Sequence, residues 1–318
     1  LTCYIDKPSA EEKLSRDNQE VRTKVEIIRS KEMGFCHGVR RALKMVQEAA
    51  QGGKTVHTLG DIVHNPQVVE RLQRMGIKVI SNLDEVEPGA VVIITAHGAA
   101  PSIFAEAEQR GIVLLDATCQ LVERVQSLAQ EMAEGGYGVI ICGDPEHTEV
   151  RGILGHAGIQ AVAGRTIEEM VSHSKARGLD KPWNQHRRLA ILFQTTQRET
   201  IYKTFVAELA REAIAVVREL RVFNTVCAAV ARREPAGRQL AWSVETVIVI
   251  GGRHSANTRH LAETCAATGV PTYHIERAED LRAEWFEGIQ RVGVTAGTST
   301  PDDIVDQVVE QLRRFSRR

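Results

Sequence analysis

Three cysteines share one context. Cys36 opens "CHGVRRALKMVQEAA", Cys119 opens "CQLVERVQSLAQEMA" and Cys227 opens "CAAVARREPAGRQLAW". The apolar residues that follow are spaced for helices, so each thiol stands where a helix begins. A helix N-terminus carries partial positive charge and unpaired N–H groups, which lower a thiol's pKa and can hydrogen-bond its sulfur. Three thiolates at one point suit a cuboidal iron–sulfur cluster whose fourth iron lacks a protein ligand. An iron left open in this way is a Lewis acid that a substrate oxygen can reach. Zinc is the competing metal. A three-cysteine zinc site wants a fourth protein ligand and short C-x2-C spacing, and that spacing is absent. Taken singly, each thiol also reads as a small buried hydrophobe. That plainer reading is kept for Cys142 in "VIICGD" and Cys265 in "AETCAATG", while Cys3 falls in an N-terminal extension.

A second set of polar residues keeps step with the cysteines. At the same distance after Cys36, Cys119 and Cys227, just past the next strand-like run, stand His64, His147 and Ser255. Later strand-like runs end in "TAHGAAPS" with His97, "QTTQRET" with Thr195 and Thr196, and "TAGTSTPDD" with Ser299. All are strand-to-helix junctions, where backbone N–H groups and neutral donors hold phosphate oxygens. His64, His97, His147, Ser255, Asn257 and Ser299 therefore read as an anion site, without any P-loop or G-x-G-x-x-G fingerprint. Glu149, two residues past His147, would be a proton donor if shielded from water. Plainer duties exist: N-caps for Thr195, Ser255 and Ser299, surface imidazoles for His64 and His97, a first-turn carboxylate for Glu149. Their parallel placement favours a shared site.

The elements that must position these residues are strands and helices in alternation. The runs "KTVHTL", "VVIIT", "IVLLD", "YGVIIC", "LAILF", "TVIVI" and "RVGVT" read as strands separated by helical segments. In the last helix Thr300 is placed as N-cap with Pro301 in the first turn. Such alternation means an α/β fold with mostly parallel sheets. One unit, helix–strand–helix–strand–helix–strand, occurs three times. The partition is 1-24 as extension, then 25-118, 119-226 and 227-318 as three similar α/β domains. Loops at the strand C-terminal ends gather on one side of such units. A pseudo-threefold trefoil would bring three thiols and three polar loops to one central cavity.

Composition narrows the partners. The chain has 318 residues, enough for two domains or three small ones. Hydrophobic residues at 43% and charged residues at 25% suit a globular chain with a buried core. A formal net charge of −1 argues against nucleic acid or an anionic membrane as main partner. The longest apolar runs are far too short to span a bilayer. Six cysteines without a signal-peptide pattern do not make a disulfide framework, and a cytoplasmic location is the expectation.

The motifs "GFCHGV", "IVHNPQVVERL", "AHGAAP", "DATCQLV", "HTEVRG", "QTTQ", "SANTRHLAE" and "GVTAGTSTPDDIV" together resemble the 4-hydroxy-3-methylbut-2-enyl diphosphate reductase (LytB/IspH) family, from about residue 34 to residue 310. The resemblance implies a three-domain α/β trefoil around a [4Fe-4S] cluster held by Cys36, Cys119 and Cys227. It implies diphosphate contacts from His64, His97, His147, Ser255, Asn257 and Ser299. Glu149 and Thr195, with Thr196 beside them, would stand at the substrate's hydroxyl end, Glu149 heading the proton relay. The implied reaction is reductive dehydroxylation of the allylic diphosphate to isopentenyl and dimethylallyl diphosphate, with electrons from a ferredoxin or flavodoxin. Departures from the family pattern fall at Gln120, Asp144, Thr148, Val230, Arg253 and Ala256. They leave two alternatives: a divergent iron–sulfur reductase or hydro-lyase for another phosphorylated or hydroxylated molecule, and a non-catalytic cluster carrier.

Overall fold

The computed structural model describes residues 25–63 and 65–315. The expectations placed on His64, on Cys3 and on the extension lie outside the described residues. Strand β1 (Glu26–Arg29) comes first. The next elements are α1 (His37–Ala50), β2 (Val56–Leu59), α2 (Pro66–Arg74), β3 (Lys78–Ile80), β4 (Val91–Ile94), α3 (Pro101–Gln109) and β5 (Val113–Asp116). A second series holds α4 (Gln120–Glu134), β6 (Gly138–Cys142), α5 (Thr148–Ala157), β7 (Val162–Gly164), α6 (Ile167–Ala176), α7 (Pro182–Gln185), β8 (Arg188–Phe193), α8 (Glu199–Ala213) and β9 (Glu219–Val222). The third holds α9 (Ala228–Ala241), β10 (Thr246–Ile250), α10 (Ala256–Ala266), β11 (Thr272–Ile275), β12 (Arg291–Ala296) and α11 (Asp302–Phe315).

Three parallel sheets result, ordered β3-β2-β4-β5, β7-β6-β8-β9 and β11-β10-β12-β1. The fold is α/β, with one sheet design used three times in a trefoil. Inner strands such as β4 ("VVII"), β6 ("GVIIC") and β10 ("TVIVI") are buried along their whole length. Helices cover both faces, so these strands are continuous apolar runs rather than alternating ones. Helix α1 lays Val39, Ala42 and Val46 against Val56, Ile62 and Ile93. Helix α11 buries Ile304, Val305, Val308, Val309 and Leu312 at helical spacing.

The structure differs from the sequence reading in three places. The edge strands β1, β3, β7, β9 and β11 lack the apolar runs that mark β4, β6 and β10: β3 and β7 have only three residues, and β1, β9 and β11 are partly exposed; among the edge strands only β5 is read from its run "IVLLD". Strand β1, counted above with the first unit, pairs with β12 and completes the third sheet, Ile27 opposite Val292. Thr300 does not cap α11; its hydroxyl donates to the Ile250 carbonyl at 2.9 Å and ties the last loop to β10.

The units meet through small residues and polar clasps. A β-carbon on Gly155 of α5 would come 3.1 Å from the Ala100 Cα at the start of α3, so glycine sets that close approach. Gln67 donates to the Glu276 carbonyl at 2.6 Å, joining the first and third units. Arg198 pairs with Glu263 between the second and third.

Candidate active site

Each of the three cysteines is the N-cap of its helix, with extended backbone: φ/ψ of −74°/167° at Cys36, −63°/133° at Cys119 and −66°/124° at Cys227. Each is also hung by its N–H on the end of an inner strand of a sheet. Cys36 donates to Thr298 at 3.2 Å, Cys119 to Ala96 at 3.0 Å and Cys227 to Thr195 at 2.8 Å. The acceptors are the same position of three equivalent loops, two residues past β4 and β8 and past β12. This repetition is the threefold relation at atomic level.

The thiols are half-buried and free of disulfides. Burial pushes the Cys119 thiol up, the N–H groups of Leu121 and Val122 pull it back, and Cys36 and Cys227 add a smaller upward push. Cys119 is therefore within electrostatic reach of both other thiols. The Leu121 and Val122 groups act on the sulfur without forming a full capping hydrogen bond. Among the described residues no three His, Cys, Asp and Glu side chains could share one metal ion. A cuboidal cluster makes a different demand, since each cysteine binds its own iron. The first turn of α1 is cut away for the sulfur: a β-carbon on Gly38 would stand 2.7 Å from the Cys119 Sγ. Three cap thiols, one set against the Gly38 cradle and influenced by the other two, fit a cluster held by three cysteines.

Beside them is a buried acid. Glu149 is 2% exposed and accepts from the Thr195 N–H at 2.6 Å and the Thr195 hydroxyl at 2.9 Å. Burial raises its pKa above the ordinary carboxyl value, and the two Thr195 bonds oppose that rise. Thr195 is the hub, because its carbonyl takes the Cys227 N–H. Thr196 is half-buried next to it.

His147 caps α5: its Nδ1 accepts from the Glu149 N–H at 3.1 Å, which leaves Nε2 as the protonated nitrogen in the neutral ring. His97, from the first unit, meets His147 edge-to-face with ring centroids 5.4 Å apart. The Thr95 hydroxyl lies 3.3 Å from the His97 Nδ1. In the third unit Ser255 caps α10, accepting from the Thr258 N–H at 3.4 Å. Asn257 donates to the Thr298 hydroxyl at 3.3 Å. The Ser299 hydroxyl is buried without a hydrogen-bond partner, an arrangement that calls for a ligand or water. The structure thus joins Glu149 to Thr195, His97 to His147, and Asn257 to the residue before Ser299. Gly38, Thr95 and Thr298 were not singled out from sequence, since each matters only through a neighbour distant in the chain.

The LytB protein family matches residues 27–313 of the chain. The chain belongs to this family. The 4-hydroxy-3-methylbut-2-enyl diphosphate reductase of Geobacter sulfurreducens is 41% identical over 295 residues, 92% of this chain and 99% of the relative. The Dehalococcoides mccartyi enzyme of the same name is 38% identical over 284 residues, 89% of this chain and 96% of its own. A solved structure of (E)-4-hydroxy-3-methyl-but-2-enyl diphosphate reductase, titled the terminal enzyme of the non-mevalonate pathway, aligns with a TM-score of 0.69 and 37% identity, covering 91% of this chain and 99% of that one. The Plasmodium falciparum reductase structure aligns with a TM-score of 0.80 and 25% identity, covering 90% and 87%.

The residues that depart from the LytB pattern can now be placed. Gln120 and Thr148, each the first residue of its helix, and Arg253 are exposed. The Asp144 carboxylate folds back onto the Glu146 N–H at 3.0 Å. Val230 is buried in the first turn of α9, and Ala256 is the half-buried first residue of α10.

Proposed function

We propose that the chain reduces (E)-4-hydroxy-3-methylbut-2-enyl diphosphate to isopentenyl and dimethylallyl diphosphate. The C–O bond to the allylic hydroxyl breaks, a C–H bond forms, two electrons and two protons are consumed, and water leaves. The observation that carries this reading is Thr195, which touches both halves of the chemistry: its carbonyl holds Cys227 and its other two polar groups hold Glu149. Cys36, Cys119 and Cys227 would hold a [4Fe-4S] cluster, which when bound supplies electrons and a Lewis-acid iron.

The chain's own residues do the rest. Burial favours the protonated form of Glu149; in that form the Glu149–Thr195 Oγ1 hydrogen bond runs from the acid, Glu149 gives a proton to Thr195 Oγ1, and the Thr195 hydroxyl passes its own to the departing oxygen. His97, His147, Ser255, Asn257 and Ser299, with His64, bind the diphosphate, and Thr196 lines the same loop as Thr195. The protonated Nε2 of His147 and the unpartnered Ser299 hydroxyl supply donors to phosphate oxygens. We take 25-118, 119-226 and 227-318 as the three domains, β1 being lent to the third sheet.

The alternative of a different substrate loses support from Gln120 and Thr148, whose side chains face outward, and from relatives that carry the reductase name. A mere cluster carrier has no use for a buried carboxyl. Among the described residues no helix is long and apolar enough to cross a membrane, and we place the enzyme in the cytoplasm with a ferredoxin or flavodoxin as reductant. The test is turnover of the allylic diphosphate by anaerobically reconstituted protein with a chemical reductant, beside the same protein stripped of iron. Product from the loaded protein alone is expected. A loaded protein that leaves this substrate untouched would return the divergent-substrate reading.

A further inference from the structure

Arg233 is a buried cation in the second turn of α9, only 4% exposed. Its Nη2 donates to the Gly34 carbonyl at 2.5 Å and its Nη1 to the Ala229 carbonyl at 3.1 Å. Gly34 lies two residues before Cys36, and Ala229 two residues after Cys227. The guanidinium therefore spans the backbone on either side of two of the three thiols. Its Nε is buried with no hydrogen-bond partner. Among the described residues no carboxylate forms an ion pair with it; Glu32, which is near, pairs with Arg232 at 3.3 Å.

Carbonyl dipoles satisfy two of its donors but do not cancel its charge, and an unpaired buried charge is costly. Arginine does not escape that cost by losing its proton. Burial disfavours the charged form most, and Cys36, Glu32 and Cys227 favour it. Through the Gly34 and Ala229 carbonyls the guanidinium adjoins Cys36 and Cys227, whose negative charge offsets it together with that of Glu32. Resting on the cluster reading above, we propose that Arg233 is a positioning residue that raises the reduction potential of the iron–sulfur centre by holding a fixed positive charge between Cys36 and Cys227. Reduction adds one negative charge there, and a nearby cation in a poorly screened interior favours the state that carries it.

The proposal separates charge from clasp. Wild type, Arg233→Lys and Arg233→Gln are purified anaerobically, iron and sulfide are counted, and each cluster is titrated against potential by electron paramagnetic resonance. At the wild-type midpoint the Gln variant is expected to show a reduced-to-oxidised ratio at least about tenfold lower, a one-electron shift of about 59 mV. The Lys variant is expected to stay near wild type. A Gln variant at the wild-type midpoint, or a Lys variant displaced as far as Gln, would overturn the charge role. Should the Gln variant hold no cluster, Lys decides: a loaded Lys variant at the wild-type potential supports the proposal, and an empty one refutes it. Wild-type protein without iron and sulfide would instead sink the cluster reading itself.

Discussion

Glu149 is gripped at both carboxylate oxygens by one residue, Thr195, through the backbone N–H at 2.6 Å and the hydroxyl at 2.9 Å. The two bonds favour the ionised acid while burial favours the neutral one, and burial prevails. The pair therefore sets the pH range over which a proton is available.

Glu149→Gln removes that proton with little change of shape. The expected result is intact iron content and a kcat lower by roughly 10²–10⁴-fold, measured by steady-state turnover. Thr195→Val deletes one bond that stabilises the charged form and the relaying hydroxyl with it, so kcat falls and the alkaline limb of the residual kcat–pH profile moves to higher pH. A limb that stays in place would show that Glu149 is not the titrating donor.

Stability carries the same signature. The folded pKa of Glu149 lies above its ordinary 4.5, so the native state binds more protons than the unfolded chain between that value and the raised one. The stabilisation is full below pH 4.5 and is lost as pH rises through the folded pKa. Denaturant titrations should show this falling slope in wild type and its absence in Glu149→Gln.

Gly38→Ala forces a methyl group to 2.7 Å from the Cys119 sulfur. Overpacking of this kind costs roughly 1–3 kcal/mol, and here it presses on a proposed ligand. Iron per chain after reconstitution should drop below wild type although circular dichroism still reports a folded protein. Full loading with unchanged stability would mean that the cradle is slack.

His147 has two duties that two variants separate. His147→Ala loses the cap on the Glu149 N–H and should cost roughly 0.5–2 kcal/mol of stability. His147→Asn keeps a capping oxygen but no Nε2 donor. It should recover the melting temperature yet raise KM by about tenfold or more, the size of a lost charge-assisted hydrogen bond.

Ala256 sits beside the cap Ser255 at the start of α10. Ala256→Ser restores a hydroxyl close to the proposed diphosphate contacts. Substrate affinity should rise by roughly two- to tenfold, the range of a neutral hydrogen bond. An unchanged Kd by calorimetry would place the diphosphate elsewhere.

Much of the site was legible from sequence because its signals are local. A cysteine before a helical apolar pattern is an N-cap wherever the helix goes, and the same holds for His147 and Ser255 before α5 and α10. Inner strands such as β4, β6 and β10 declare themselves as nearly continuous apolar runs, since burial on both faces leaves little polar alternation. Of the edge strands only β5 carries such a mark, and β1, β3, β7, β9 and β11 emerge only when a neighbour supplies their hydrogen bonds.

The sequence by itself determined the residue types, the caps and the three-beat order of elements, because these depend on neighbours a few positions away. Tertiary structure alone decided that β1 closes the sheet of β12, that His97 meets His147 across two units, and that Thr195 serves Glu149 and Cys227 at once. It alone set Gly38 against the Cys119 sulfur and Arg233 of the Cys227 helix against the Cys36 loop. Those contacts join residues far apart in the chain, and their geometry follows from how three packed sheets face one another, which no local periodicity encodes.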